Sequence, residues 1–117
     1  MEEWKQIIDH PNYEVSNLGN VRNSIRQKIV SFWVGNGYCK ITLWNNGKKK
    51  HHRVHRLVAF AFLDNPENKL EVDHIDRNKS NNIVTNLRWS TRKENLANQP
   101  KKRSVRPKRI KKNLSIL

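Results

Sequence analysis

Cysteine is nearly absent: the 117-residue chain contains one, Cys39. A single thiol cannot close an intrachain disulfide, and it rules out any zinc site that needs two or more thiolates. A small buried strand residue is the expected role for Cys39. Acidic residues are also scarce, with ten Asp and Glu facing 24 Lys and Arg for a formal net charge of +14. A surplus of that size implies a polyanionic partner, most often nucleic acid. Long hydrophobic runs are missing as well. The longest, LVAFAFL at 57–63, is too short to span a bilayer, and the acidic opening MEEWKQ is no signal peptide. A soluble, cytoplasmic protein without a membrane partner is the expectation. Hydrophobic residues make up 35% of the chain, enough for one modest core. Four Trp, three Phe and two Tyr argue against wholesale disorder.

The first part of the chain reads as short strands and turns. NYEVSN (12–17) is followed by the breaker pair Leu18-Gly19 and then NVRN. KIVSFWV (28–34) leads through GNG to YCKITLW (38–44), where Cys39, Ile41 and Leu43 share one face while Tyr38, Lys40, Thr42 and Trp44 share the other. That is the period-2 alternation of a half-buried strand. Asn46-Gly47 suits a tight hairpin turn at positive φ. The next strand, KKKHHRV, would present Lys48, Lys49, Lys50 and Arg53 to DNA. The period then changes in VHRLVAFAFL (54–63), where Val54, Leu57, Val58 and Ala61 form a helical apolar stripe with Phe60 and Phe62 beside it. Asp64, Asn65 and Pro66 stop this helix. His51, His52 and His55 could suggest a metal, but a basic surface strand and a helix start account for them.

The second part reads as strand, loop, strand, helix: LEVDHI (70–75), DRNKSNN (76–82), NLRWS (86–90) and STRKENLANQ (90–99). Ser90 is the expected cap of the last helix and Pro100 its end. The tail from 100 to 117 carries eight cations, among them Lys101, Lys102, Arg103, Arg106, Lys108 and Arg109, and no acid. Removing those eight leaves 16 basic against ten acidic residues, or +6, so the tail supplies more than half the surplus. A tail of this composition is expected to be flexible without its partner. The fold class is therefore α+β: small N-terminal antiparallel strands (1–47), then a helix with a strand–strand–helix unit (48–99), then the basic tail (100–117).

Chemistry concentrates in VDHIDRNKSNNIVTNLRWSTRKEN (72–95). A histidine on the first strand would point into the groove between hairpin and helix. Asp73 can offer a carboxylate oxygen and Asn95 an amide oxygen. Oxygen-only ligands suit a hard ion, one Mg²⁺ or Mn²⁺, whose shell is completed by water and substrate phosphate. A neutral His74 imidazole can take a proton from water. The amide of Asn86, at the loop's return, can brace the backbone that orients it. Asn78, Asn81, Asn82 and Asn98 read as loop and helix-end residues, and Trp89 as core. Arg88 and Arg92 read as phosphate contacts.

These residues resemble a known pattern. Asp73-His74, Asn86 and Asn95 are similar to the HNH endonuclease motif of the ββα-metal fold. The stretch from VHRLVAFAFL to ENLANQ resembles its phage and intron-encoded homing branch. EEWKQI…NYEVSNLGNVRN is similar to the nuclease-associated modular DNA-binding motif that often precedes that unit. The resemblance implies a metal-dependent endonuclease, acting on double-stranded DNA as a monomer or weak dimer and cutting one strand. In that reading His74 is the general base, Asp73 and Asn95 bind the divalent ion, and Asn86 is the structural asparagine. A non-catalytic DNA-binding protein on the same scaffold is the main alternative, with an RNA-binding basic protein behind it. The complete Asp-His-Asn-Asn set argues against the former.

Overall fold

The computed structural model describes residues 1–98; the basic cluster from Lys101 onward and Pro100 lie outside them. Nine strands and two helices follow one another: β1 (Trp4–Ile7), β2 (His10–Ser16), β3 (Val21–Asn23), β4 (Lys28–Ile29), β5 (Trp33–Gly35), β6 (Tyr38–Asn45), β7 (Lys48–Arg53), α1 (Val54–Phe62), β8 (Glu71–His74), β9 (Leu87–Ser90) and α2 (Arg92–Asn98). They form three antiparallel sheets, β1-β2-β3-β4, β5-β6-β7 and β8-β9. The α+β class holds, and the mixed architecture is of the type the sequence implied.

The β6–β7 hairpin shows why its residues fold this way. Cys39, Ile41 and Leu43 are buried, while the alternate positions are partly or fully exposed. Asn46 and Gly47 both take positive φ, 52° and 77°, as a two-residue turn matched to strand twist requires. β7 then offers an exposed run of lysines, Lys48 to Lys50. Its last residue, Arg53, is extended and leads straight into α1 without a side-chain cap.

Helix α1 is the hub. It packs against β1, β2, β6 and β7 of the first two sheets and against β8 and β9 of the third. Val58 and Ala59, adjacent in sequence, are therefore both completely buried. The stripe expected from the sequence placed Ala61 in the core. Ala61 is only partly buried, and Ala59 takes its place because the helix is covered on more than one face. Val15, Ile41, Leu43 and Val58 are the largest apolar side chains in the centre, where truncation to alanine costs about 2–5 kcal/mol for the larger ones.

Three details differ from the sequence reading. The run 28–34 is not one strand: it breaks after Ile29, and its ends belong to different sheets. β1 was not foreseen; it pairs with β2 across a register shift between Gln6 and Ile7. The cap of α2 is Thr91 rather than Ser90. Thr91 Oγ1 accepts from Glu94 N–H at 3.1 Å and Glu94 Oε1 accepts from Thr91 N–H at 2.9 Å, a reciprocal capping box. Ser90 is instead buried, with its hydroxyl unpartnered.

Candidate active site

β8 is contacted by both helices, α1 and α2. Val72, Asp73 and His74 are consequently all buried in spite of strand alternation. Burial of an ionisable pair requires partners, and both residues have them. Asp73 sits opposite Arg88 in the β8–β9 register. Arg88 Nε and Nη2 donate to Asp73 Oδ2 at 3.1 and 2.9 Å. Asn98 Nδ2, from α2, donates to Asp73 Oδ2 at 3.0 Å and to the His74 carbonyl at 3.0 Å. His74 Nε2 lies 2.8 Å from Asn82 Oδ1. Its ring has two tilted aromatic neighbours, His55, with centroids 4.7 Å apart, and Tyr38 at 6.1 Å.

His55 is stacked on Tyr38 at 5.1 Å and 14°. Burial, with His74 and the Arg56 and Arg53 guanidiniums nearby, pushes its pKa down to about 3. It is a neutral spacer at any ordinary pH. Two cations stand over the Tyr38 ring, Lys79 Nζ at 4.5 Å and Arg53 at 4.6 Å. A cavity of about 260 Å³ opens here, lined by Tyr38, Asp73, His74, Arg77, Lys79, Asn95 and Asn98 among others.

The loop between β8 and β9 is tied at its neck. Asp76 N–H donates to Asn86 Oδ1 at 3.0 Å, while Asn86 Nδ2 donates to Asp76 Oδ1 and to the Asn81 carbonyl, each at 2.9 Å. Asn81 Nδ2 and the Asn78 N–H also donate to the Asp76 carboxylate. Hydrogen bonds from Asn81, Asn78 and Asn86 hold the Asp76 pKa below the usual carboxylate range.

Of the residues singled out in the sequence, Asp73, His74 and Asn95 line one cavity, and Asn86 sits at the loop neck behind them. Asn95 Nδ2 donates to Glu71 Oε1 at 2.9 Å, and no described residue donates to its Oδ1. Arg88 is drawn onto Asp73, and Arg92 Nη1 lies 3.4 Å from Glu71 Oε2. Lys48, Lys49, Lys50 and Arg53 lie on exposed β7. The three histidines diverge. His51 Nδ1 is 2.8 Å from Thr42 Oγ1, His52 Nε2 is 2.9 Å from His10 Nε2, and His55 faces Tyr38. Lys101, Lys102, Arg103, Arg106, Lys108 and Arg109 lie outside the described residues.

Six residues at the site were not among the candidates read from the sequence: Tyr38, His55, Arg77, Lys79, Asn82 and Asn98. Asn98 carried a signal, because three residues after Asn95 it falls on the same helix face. Nothing local separated Asn82 from Asn78 and Asn81. Tyr38 reaches the site from a distant hairpin.

Comparison with known proteins now applies to this geometry. The model of the HNH endonuclease family matches residues 52–97, and that of the NUMOD4 motif matches residues 2–44. Residues 52–97 are an HNH endonuclease unit, preceded by a NUMOD4 motif. This HNH chain is 46% identical over 99 residues to the DNA endonuclease I-HmuI of Bacillus phage SP01, covering 83% of the chain and 57% of that relative. It is 37% identical over 97 residues to the H-N-H endonuclease F-TflII of Escherichia phage T5, covering 80% and 50%. An uncharacterized HNH endonuclease, L245, of Acanthamoeba polyphaga mimivirus is 44% identical over 93 residues, covering 80% and 28%. The fold matches the solved structure that shows DNA binding and cleavage by the HNH homing endonuclease I-HmuI. There the TM-score is 0.75 and the identity 45%, over 83% of this chain and 57% of that one. The HNH chain thus spans little more than half the length of I-HmuI and less of the others. No described helix is long and apolar enough to cross a membrane.

Proposed function

We propose that the chain is a metal-dependent DNA endonuclease of the homing type that hydrolyses one phosphodiester bond of double-stranded DNA per site. The observation that carries this reading is the buried Asp73–His74 pair lining a cavity that also carries two cations, Arg77 and Lys79. Such cations draw in a phosphodiester. The His74 imidazole takes a proton from water, and the hydroxide oxygen forms the new bond to phosphorus. The bond from phosphorus to the departing sugar oxygen breaks as the electron pair moves onto that oxygen. Asn86, by bracing the loop neck, holds the strand that carries His74.

The donor set fits a hard divalent ion, Mg²⁺ or Mn²⁺. Asp73 offers a carboxylate, Asn95 an amide oxygen that no described residue donates to, and no cluster of three His, Cys, Asp or Glu exists among the described residues to favour a softer site. Asp73 and Asn95 would hold it, with the substrate phosphate among its further ligands. Such an ion, when bound, offsets charge on the phosphoryl and departing oxygens. Arg88 holds Asp73 Oδ2 with two hydrogen bonds, so an ion taking that oxygen would displace the guanidinium.

Lys48, Lys49, Lys50 and Arg53 supply phosphate contacts from β7. Arg88 and Arg92 would supply more from the hairpin and α2 once redirected from Asp73 and Glu71. The cationic residues of 101–109 would bind backbone without reading sequence. The proposed division of labour assigns 1–47 to DNA recognition, 48–99 to cleavage and 100–117 to non-specific attraction. The chain would act as a monomer or weak dimer in the cytoplasm of the cell that holds its DNA target.

The test is a supercoiled plasmid incubated with the purified chain, in Mg²⁺ and in EDTA. Open circles should form only with the ion, before linear product. His74→Ala should slow nicking by roughly 10²–10⁴-fold with DNA affinity retained. A mutant rate equal to wild type would remove His74 from the chemistry.

A further inference from the structure

The imidazole of His74 has two nitrogens, and only one of them can be the base. Its Nε2 lies 2.8 Å from Asn82 Oδ1. An amide oxygen can only accept, so with Asn82 in this orientation it is Nε2 that carries the ring proton. Nδ1 then keeps the lone pair, and no described residue bonds it. We propose that Asn82 is a positioning residue for the base: it fixes the neutral tautomer of His74 so that Nδ1 is the atom that receives the proton. The inference rests on the reading of His74 as the base and adds which atom does the work and what selects it.

Asn82 is itself held in one place. It is only 6% exposed. The turn between β2 and β3 lies directly on it: a Cβ built on Gly19 would stand 3.0 Å from both Asn82 Cβ and the Asn82 carbonyl oxygen. Only a residue without a side chain lets the two backbones approach so closely. That turn is stiff, since the Ser16 hydroxyl accepts from the Leu18 and Asn20 N–H groups at 3.2 and 3.1 Å. Just beyond Asn82, the Val84 N–H donates to the Asn17 carbonyl at 2.8 Å. The N-terminal sheet therefore reaches the active site through Asn82. It sets the catalytic ring as well as any contact it makes with DNA. His55 and Tyr38 also pack against the ring, so the hydrogen bond and these aromatic contacts together hold one orientation.

The experiment is a ¹⁵N–¹H long-range correlation spectrum of the histidine rings in the full chain, at a mildly alkaline pH where imidazoles are neutral. The His74 signals are assigned by their loss in His74→Ala. Wild type should show an unprotonated Nδ1 and a protonated Nε2. In Asn82→Ala the two nitrogen shifts should move toward each other as tautomers mix. Single-turnover nicking of supercoiled plasmid should fall on the order of 10-fold at unchanged DNA affinity, the weight of one neutral hydrogen bond and of a partly misplaced proton. Asn82→Asp restores an acceptor in the same shape, and the wild-type ring signature should return. An unaltered signature in Asn82→Ala overturns the proposal, and so does an Nδ1-protonated ring in Asn82→Asp. Either result would leave the cleavage defect of His74→Ala untouched. Conversely, a His74→Ala chain that nicks at the wild-type rate would sink the nuclease role of His74 whatever the spectra show.

Discussion

His55 makes the fold sensitive to acid in a way that can be isolated. Its ring is 4% exposed and stacked on Tyr38, with a pKa lowered to about 3 by burial and by neighbouring cations. In the unfolded chain the same ring titrates near 6.5. Between those two values the unfolded state binds a proton that the folded state refuses, so stability is full above about pH 7 and falls as pH drops. At about pH 5 the unfolded ring is protonated and the folded one is not, which amounts to a loss of about 2 kcal/mol relative to neutral pH. For a domain of this size that is a fall of roughly 10 °C in melting temperature. The carboxylates with lowered pKa, Asp76 and Glu94 among them, contribute mainly at lower pH. His52, lowered by burial and by His10, acts in the same direction as His55. The comparison is therefore made between wild type and His55→Phe, which keeps an aromatic surface against Tyr38. Urea denaturation at about pH 7.5 and pH 5 should show the wild type losing about 2 kcal/mol more than the variant. Equal losses in the two proteins would mean that His55 is not buried neutral and that the stack beneath His74 is wrongly described.

Other expectations are as direct. Gly19→Ala and Gly47→Ala both place a side chain at positive φ, 89° and 77°, but only the first also meets Asn82. Urea titration should give a loss of about 1 kcal/mol at Gly47 and roughly 2–4 kcal/mol at Gly19, and equal losses would argue against the close approach. Asp73→Ala and Asn95→Ala should each abolish or greatly weaken Mn²⁺ binding measured by calorimetry on the chain with DNA, each removing one of two protein oxygens; wild-type isotherms in both would exclude this site. Deleting residues 101–117 should weaken binding to all DNA sequences alike and make the slope of log K against log salt shallower by roughly 4–5 if most of its charges meet phosphates. A cleavage position that moves after the deletion would show that the tail reads bases.

How much of this was legible depended on the range of the interaction. Period-2 alternation exposed β6, because Cys39, Ile41 and Leu43 bury together on one local face. Asn46-Gly47 named its turn, because positive φ is a local demand. The pairing of Asp73-His74 with Asn86 and Asn95 was visible as a motif, since all four residues lie within one hairpin and helix. Contacts that cross the molecule left no such trace. Ala59 replaced Ala61 in the core because α1 is covered from several directions, which no single helical stripe encodes. Asn82 looked like any other loop asparagine, and its partner Gly19 lies 63 positions earlier. Tyr38 read as the outer face of a strand, which it is; the histidines it meets come from α1 and β8.

The pairing of Asp73 with Arg88 bears on the order in which this protein is made ready. A carboxylate that is 4% exposed would cost several kcal/mol if left alone. Here the guanidinium of Arg88 and the amide of Asn98 neutralise and solvate it from within the chain. Architecture therefore precedes loading. A thiolate zinc site collapses when its ion is stripped, whereas this pocket has its own internal counter-charge and needs no ion to fold. Under the proposed metal dependence, chelators should stop the protein without melting it, and activity should return when salt of the right metal is added. An ion held by Asp73 would compete with Arg88, whose planar cation would then be free at the edge of the cavity to meet the phosphate of the substrate.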